Sequence, residues 1–511
     1  MKILDCTLRD GGYYTNWDFS RELVNTYLES FNNLPAEYLE LGYRSPVLEG
    51  YYGEYYYCPV HVLERIRKKS SKKLVVILNE KDVRAAIVPA LLGPCQGIIS
   101  MVRIAIDPKN LGRSIQLAEA VKKMGFEVGF NVMYMSKWKE DAHFLEELKL
   151  VNGVVDYFYM VDSYGGVYPD DVKEIYQMVK SNVEVPIGFH GHNNLELALI
   201  NSLTAIECGA DIIDATVLGM GRGAGNLKTE LLFTTLNSKQ GLEVDFNALA
   251  AVTDAFAPLH KEYEWGTNLP YMVSGAHSLP QKEVMDWVGK RYYSINSILR
   301  ALHNQKDKVK DNIQFPVLSV DRPKTKALLI GGGSSAITDA EALRHFIEAQ
   351  TDDFCIIHSS SKNALPFAGL PIDQYYCLVG NEGVRLLNLF DKMEDFNGVC
   401  VLPPFPRKMG TFVPEKVKKS TFELPSVEFT HLVKDSHTAL SLQLALSLGI
   451  TECFVAGYDG YSSEQLGTKE QELFIENEAL FADASKAGLQ LTALTSTRYK
   501  NLMPHSIYAI V

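Results

Sequence analysis

Two histidines, His190 and His192, sit one residue apart at the end of the apolar run Pro186 to His190, with Gly191 between them. If that run is a strand, side chains two positions apart project the same way, so both imidazoles face one side. Adding one carboxylate gives two nitrogens and an oxygen around a divalent ion, with open positions for a chelating substrate. Asp10, in Arg9-Asp10-Gly11-Gly12, is the candidate carboxylate. Without a metal, the same His-Gly-His is simply a pair of polar strand-end residues. Other polar residues occupy comparable places: Glu40 within an apolar run, Asp162-Ser163 after another, and the glycine-rich stretch Gly219 to Asn226 after a third.

These positions become meaningful through the elements that carry them. Eight apolar, β-rich runs recur along the first half: Lys2 to Thr7, Tyr38 to Tyr43, Leu74 to Leu78, Gly97 to Ile106, Glu127 to Tyr134, Tyr157 to Val161, Pro186 to His190 and Ile212 to Leu218. Between them lie stretches of helical period, such as Ser20 to Phe31, Ser114 to Lys123, Asp170 to Lys180 and Asn194 to Cys208. Alternating strands and helices with right-handed crossovers make a parallel sheet, and eight such units close a (β/α)8 barrel. Chemistry in such barrels sits at the C-terminal strand ends, where the polar residues above fall.

The α/β fold class extends to the second half. Residues 1–240 read as the TIM barrel, 241–305 as a helical appendage and 306–326 as a charged, proline-bearing linker. Residues 327–511 read as an open Rossmann-like α/β domain, with strands at Ala327 to Ile330, Phe354 to His358, Gln374 to Val379, Gly398 to Leu402 and Glu452 to Ala456.

Composition narrows the function classes. The 511 residues are 46% hydrophobic and 22% charged, as in water-soluble globular proteins. A formal net charge of −12 opposes nucleic-acid phosphates, so no nucleic-acid partner is expected. No run is long enough to span a membrane, and charges at Asp5, Arg9 and Asp10 interrupt any leader-like core, so a cytoplasmic protein with no membrane partner is expected. The eight cysteines form no CxxC pair and read as reduced, buried thiols.

Three motifs together resemble the metal-dependent aldolase and lyase barrels that include 4-hydroxy-2-oxovalerate aldolase, hydroxymethylglutaryl-CoA lyase and isopropylmalate synthase. They are Thr7-Leu8-Arg9-Asp10-Gly11, Gly188-Phe189-His190-Gly191-His192-Asn193, and Gly219 to Asn226 followed by Glu230. The resemblance implies a divalent metal, Mn2+ first and Co2+, Zn2+ or Mg2+ otherwise, held by Asp10, His190 and His192 with Asn226 nearby. It implies a small-molecule 2-oxo acid such as pyruvate, Arg9 facing a developing enolate, and Ser163 receiving the substrate carboxylate; Glu40, a polar residue of the second strand, is expected at the substrate site from its position. Arg9 could instead form a salt bridge with Asp10 or Glu40, and Ser163 could cap a helix. Pairing of such barrels through appended helices implies a homodimer.

One position departs from the pattern. Where the 4-hydroxy-2-oxovalerate aldolases carry a histidine base three residues after the strand-one Asp, this chain has Tyr13. With a reference pKa of about 10, tyrosine serves as an acid or hydrogen-bond donor more readily than as a base near neutrality. Tyr271 and His277, in the appendage, are further catalytic candidates, with packing as the alternative. The aldehyde partner therefore stays open.

In the second half, Gly331-Gly332-Gly333-Ser334 after a strand offers amides to a phosphate. It lacks the spacing of a dinucleotide fingerprint and the lysine of a P-loop. With the segment from Asp435 through His437 to Leu440 and the Gly457-Tyr458-Asp459 strand end, it resembles bacterial sialyltransferase-like surface-glycan domains. That likeness implies a nucleotide or sugar-nucleotide site including His437 and Asp459, and a setting in surface-polysaccharide biosynthesis. The leading expectation is a metal-dependent 2-oxo-acid aldolase. The competing ones are an acyl-CoA-dependent Claisen-type transferase and a non-catalytic barrel supporting a ligand-binding module.

Overall fold

A computed structural model describes residues 1–289, 293–311, 313–320, 322–390, 396, 398–407, 409–461 and 468–510. The chain divides into two compact units, Met1–Met285 and Asp286–Val511.

The first unit is a closed barrel of eight strands in sequential order: β1 (Lys2–Asp5), β2 (Tyr38–Tyr43), β3 (Lys73–Asn79), β4 (Met101–Ile106), β5 (Glu127–Val132), β6 (Tyr157–Asp162), β7 (Ile187–Gly191) and β8 (Ile212–Ala215). All neighbours are parallel, and β1 closes on β8 with Leu4 beside Asp214. Both faces of the strands are covered, which is why β2 and β6 are buried at every residue. Inside, Leu4, Tyr38, Val75, Met101, Tyr159 and Ile212 form part of one packed layer. A larger cluster, including Val24, Leu63, Leu117, Ile175, Ala205 and Phe233, joins the outer helices to the strands.

The helices begin where their caps dictate. Ser20 accepts the amide of Leu23 to start Arg21–Asn33, and Asp245 accepts the amides of Asn247 and Ala248 to start Phe246–Tyr263. The first expected strand is shorter than its apolar run: β1 ends at Asp5 and the chain turns directly into a helix, Thr7–Thr15. Asp5 accepts hydrogen bonds from Thr7, Tyr27 and Thr229, which fixes that sharp turn.

The second unit holds a parallel sheet of β9 (Lys326–Ile330), β10 (Phe354–His358), β11 (Asp373–Cys377), β12 (Val399–Leu402), β13 (Thr421–Glu423), β14 (Glu452–Ala456), β15 (Gln490–Ala493) and β16 (Met503–Pro504). Its order is β13-β12-β11-β10-β9-β14-β15-β16, so the winding reverses between β9 and β14. The helix Ile295–Lys306, read from sequence as part of the barrel's appendage, falls within this second unit. The segment read as a linker is tied to the sheet: Val317 bridges Glu423, and Asp311 pairs with the buried Arg407. Among the described residues no helix is long and apolar enough to cross a membrane.

Candidate metal centre and active site

The barrel's C-terminal strand ends surround a cavity of about 180 Å³ lined by Arg9, Asp10, Tyr13, Tyr43, Asn131, Tyr134, Ser163, His190, His192 and Arg222, among others. Arg9 and Asp10 reach it from the helix after β1, one turn beyond the strand end that the sequence pattern assigned to them. His190 and His192 come from the end of β7, with ring centroids 5.0 Å apart.

Hydrogen bonds on the far side of each ring set the tautomers. His190 Nδ1 lies 2.8 Å from Asp214 Oδ2, and His192 Nδ1 lies 2.7 Å from the carbonyl oxygen of Asp162. A carboxylate and a carbonyl only accept, so both Nδ1 atoms carry the proton and both Nε2 lone pairs remain for another partner. Burial pushes His190 well below the ordinary imidazole value and lowers His192 too, against the opposite pull of Asp10, which favours the neutral, ligating form. Burial works to raise the Asp10 carboxyl, but Arg9, the two histidines and Asn226 outweigh it and hold it below the usual range.

Asn226 completes the set. Its Nδ2 donates to Asp10 Oδ2 at 2.6 Å, while its buried Oδ1 has no hydrogen-bond partner. An orphaned buried oxygen is costly unless something absent from the protein satisfies it. His190 Nε2 is 3.7 Å from Asp10 Oδ2. Around these atoms three buried carboxylates, Asp10, Glu40 and Asp214, face two buried guanidiniums, Arg9 and Arg103. Among these buried groups negative charge is in excess, and Glu40 Oε1 and Asp214 Oδ1 also lack partners. The donor set and the charge both fit a divalent cation.

Cys6, His190 and Asp214 also bring ligand atoms within 4.8 Å of one another. Burial pushes the Cys6 thiol up, away from the thiolate that binds metals, and Asp214 is already engaged by Arg103 at 2.6 Å. That trio is better read as the wall that orients His190 than as the ligand set.

The remaining candidates separate clearly. Ser163 lines the cavity and accepts the amide of Tyr134; the following helix begins at Pro169, so Ser163 is not its cap. Tyr13 lines the cavity with its hydroxyl 3.0 Å from that of Tyr43. Glu40, expected at the substrate, is fully buried behind Arg9 and does not line the cavity. Tyr271 is buried against Gly223, and half-buried His277 ends the helix Leu269–Ala276; neither lines the cavity. Pro280 and Gln281 line it instead. Asn194 holds that segment down by donating to the Tyr271 carbonyl and to Gln281.

Sequence reasoning passed over Arg103 and Asp214. Arg103 is wholly buried in β4, stacked 4.0 Å from the Tyr159 ring and bonded to Asn131, Glu40 and Asp214. Gly188 makes this possible, because a Cβ there would stand 2.4 Å from Tyr159. The available signal was a single charge inside each of two apolar strands.

With this geometry in place, comparisons with known proteins are informative. A family model described as HMGL-like matches residues 1–255. A 4-hydroxy-2-oxovalerate aldolase of Geobacillus genomosp. 3 is 33% identical over 268 residues, 50% of this chain and 75% of that relative. Another, of Thermomicrobium roseum, is 32% identical over 274 residues, 50% of this chain and 73% of that relative. The chain belongs to the HMGL-like family of aldolase and lyase barrels. A solved N-terminal domain of a candidate aldolase from Bacteroides vulgatus, similar to this HMGL-like barrel, is 57% identical with a TM-score of 0.57, covering 59% of this chain and 100% of that one. The HMGL-like unit is thus a metal-dependent aldolase-type enzyme, and the two aldolase alignments cover half of the chain.

In the second unit, three amides of the glycine turn are already engaged. Gly331 N donates to Ala456 O, Gly333 N to Gly457 O, and Ser335 N to Asp459 Oδ2. A Cβ on Gly333 would meet the Asp459 carboxylate at 2.6 Å, so a negative charge already fills the place expected for a phosphate. The helix that follows, Ser335–Thr338, has only four residues. Ser334 Oγ also donates to Asp459. His437 belongs to a different cluster, with Nε2 3.4 Å from Glu382 Oε2.

Proposed function

We propose that the barrel makes or breaks a carbon-carbon bond through the enolate of pyruvate or a related 2-oxo acid, with Mn2+ as the ion. The observation that carries this reading is the convergence of Asp10 Oδ2 and the two neutral Nε2 atoms beside Arg9 in one cavity, with the orphaned Asn226 Oδ1 on the side chain bonded to Asp10. A divalent ion held by Asp10, His190, His192 and Asn226 would act as a Lewis acid toward the 2-oxo carbonyl.

The side chains divide the remaining work. Arg9, fixed by Asp10 and by Glu40 at 2.7 Å, presents a guanidinium where negative charge develops on the 2-oxo oxygen. Ser163 offers its hydroxyl to the substrate carboxylate. The Tyr13 and Tyr43 hydroxyls lie 3.0 Å apart, and with Tyr43 as the donor of that bond the Tyr13 hydroxyl is free to donate to the aldehyde oxygen. In cleavage, the hydroxyl of the substrate gives up its proton and becomes the aldehyde carbonyl. The bond pair passes to the 2-oxo acid half as the enolate, whose carbon then takes up a proton.

The test needs no aldehyde. Loss of the pyruvate methyl proton signal in heavy water should require added Mn2+ and vanish with chelator, with His190→Ala and with Asp10→Asn. Absence of exchange with pyruvate and 2-oxobutyrate in folded, Mn2+-supplied protein would contradict the proposal.

A further inference from the structure

The cavity contains a cation that the reading above leaves unused. Arg222 lies in the glycine-rich loop after β8, half-buried and lining the cavity beside His192 and Tyr134. Its Cζ is 5.3 Å from the centroid of the Tyr13 ring. Among the described residues no carboxylate pairs with it, whereas Arg9 and Arg103 are each held by two.

The loop is built to keep this guanidinium in place. The Tyr14 hydroxyl donates to Gly223 O at 3.0 Å, and Trp265 Nε1 donates to Leu218 O at 3.0 Å. Gly225 N returns to Arg222 O, and Gly225 holds a φ of +78° with Gly219 O only 2.2 Å from where its Cβ would stand, so the loop cannot accept a side chain there. A partly desolvated arginine presented on a pinned loop and seated on an aromatic ring keeps its donors for a carboxylate or a phosphate.

We infer that Arg222 binds an anionic group on the aldehyde half of the substrate, so that the electrophile is an aldehyde carrying a carboxylate or a phosphate. This rests on the aldolase reading of the same cavity. The 2-oxo acid's own charges have partners there in Arg9 and Ser163, and Arg222 reaches the same cavity from the β8 loop, over the Tyr13 ring. In the forward reaction the enolate carbon attacks the aldehyde carbon and the carbonyl π pair moves to oxygen, which takes up a proton. The Arg222 contact holds the far end of the aldehyde while the Tyr13 hydroxyl faces that oxygen.

The experiment has two parts, run on the full chain with Mn2+. Pyruvate methyl exchange in heavy water first establishes the enolate half-reaction; without it both the aldolase reading and this inference fall. With exchange present, condensation is compared for neutral aldehydes (acetaldehyde, propanal), carboxylate-bearing ones (glyoxylate, succinic semialdehyde) and a phosphorylated one (glyceraldehyde 3-phosphate). The expected result is a kcat/KM preference for one anionic class, carried mainly by KM, which also tells the two anions apart. In Arg222→Met that preference, measured as the anionic-to-neutral ratio within the one variant, should fall by roughly 30-fold or more, with Arg222→Lys in between. Equal use of neutral and anionic aldehydes, or a loss in Arg222→Met shared equally by all aldehydes, would overturn the inference, the second by assigning Arg222 to the 2-oxo acid.

Discussion

Two glycine-rich loops follow parallel strands in this molecule, and they come to opposite ends. In the barrel, the loop after β8 delivers Asn226 with an unpartnered buried oxygen and Arg222 with no carboxylate partner, both beside the His190–His192 pair. In the second unit, the loop after β9 folds its amides onto Gly457, Ala456 and Asp459, and Asn363 Nδ2 caps the carbonyls of Gly331 and Gly333. Glycine content and strand context are alike; the state of satisfaction is not. A loop whose amides and carbonyls are mostly paired internally is a structural device, and one that leaves a buried acceptor open is waiting for a ligand.

Substitutions can break this contrast at several points. The largest effect belongs to the donor atoms: His192→Ala or Asn226→Ala should lower Mn2+-dependent turnover by about 1,000-fold and about 100-fold respectively, with the circular dichroism spectrum kept. A next tier belongs to the wall behind them. Asp214→Ala removes the acceptor that fixes the His190 tautomer, and Mn2+ affinity measured by calorimetry should fall roughly 10- to 100-fold. The same change strips Arg103 of its closest carboxylate and should cost about 3 kcal/mol of stability in urea titration, near the low end for a broken buried pair.

Smaller effects are expected in the second unit, where they should concern stability alone. Burial works to raise Glu382, but His437, Ser361 and Arg385 together hold it down at about 2, against an ordinary 4.5. A folded value below the unfolded one means that the stabilisation is complete above about pH 4.5 and is lost as pH falls toward 2. Denaturation of wild type should therefore show roughly 2 kcal/mol more acid sensitivity than Glu382→Gln between pH 5 and pH 3, the measurement being paired urea titrations at those two values. Least of all, Asp459→Ala should cost about 1–2 kcal/mol by stranding the Ser335 amide, while the Ser335 hydroxyl keeps Thr495 as a partner. A catalytic loss in either variant without a loss of stability would erase the distinction between the two loops.

Much of this was legible before any coordinates. Each of the eight barrel strands overlaps a run that apolar composition marked, five lying wholly inside theirs and β3, β6 and β7 overrunning by one residue at an end or at both, because strands buried on both faces are apolar at most positions. The cluster of Asp10, His190, His192 and Asn226 followed from strand-end positions and motif resemblance. What escaped has physical causes. Arg103 and Asp214 are single charges inside apolar strands, and pairing across the barrel between β4 and β8 has no local trace. Glu40 was placed at the substrate because a pattern of strand-end polarity cannot tell a residue facing the cavity from one a layer below it. Tyr271 and His277 drew attention by residue type, yet the segment's reach into the cavity is set by Asn194 and ends at Gln281. Strands β13, β15 and β16 have at most four residues each, too short for a periodic signal.

The central claim, that the barrel's strand ends hold a divalent cation through Asp10, His190, His192 and Asn226, is tested most directly by anomalous diffraction from Mn2+-loaded crystals. The predicted peak lies about 2.0–2.3 Å from His190 Nε2, His192 Nε2 and Asp10 Oδ2, with Asn226 Oδ1 turned toward it. A peak seated between Cys6 and Asp214 on the Nδ1 side of His190, or none at saturating Mn2+, would contradict it.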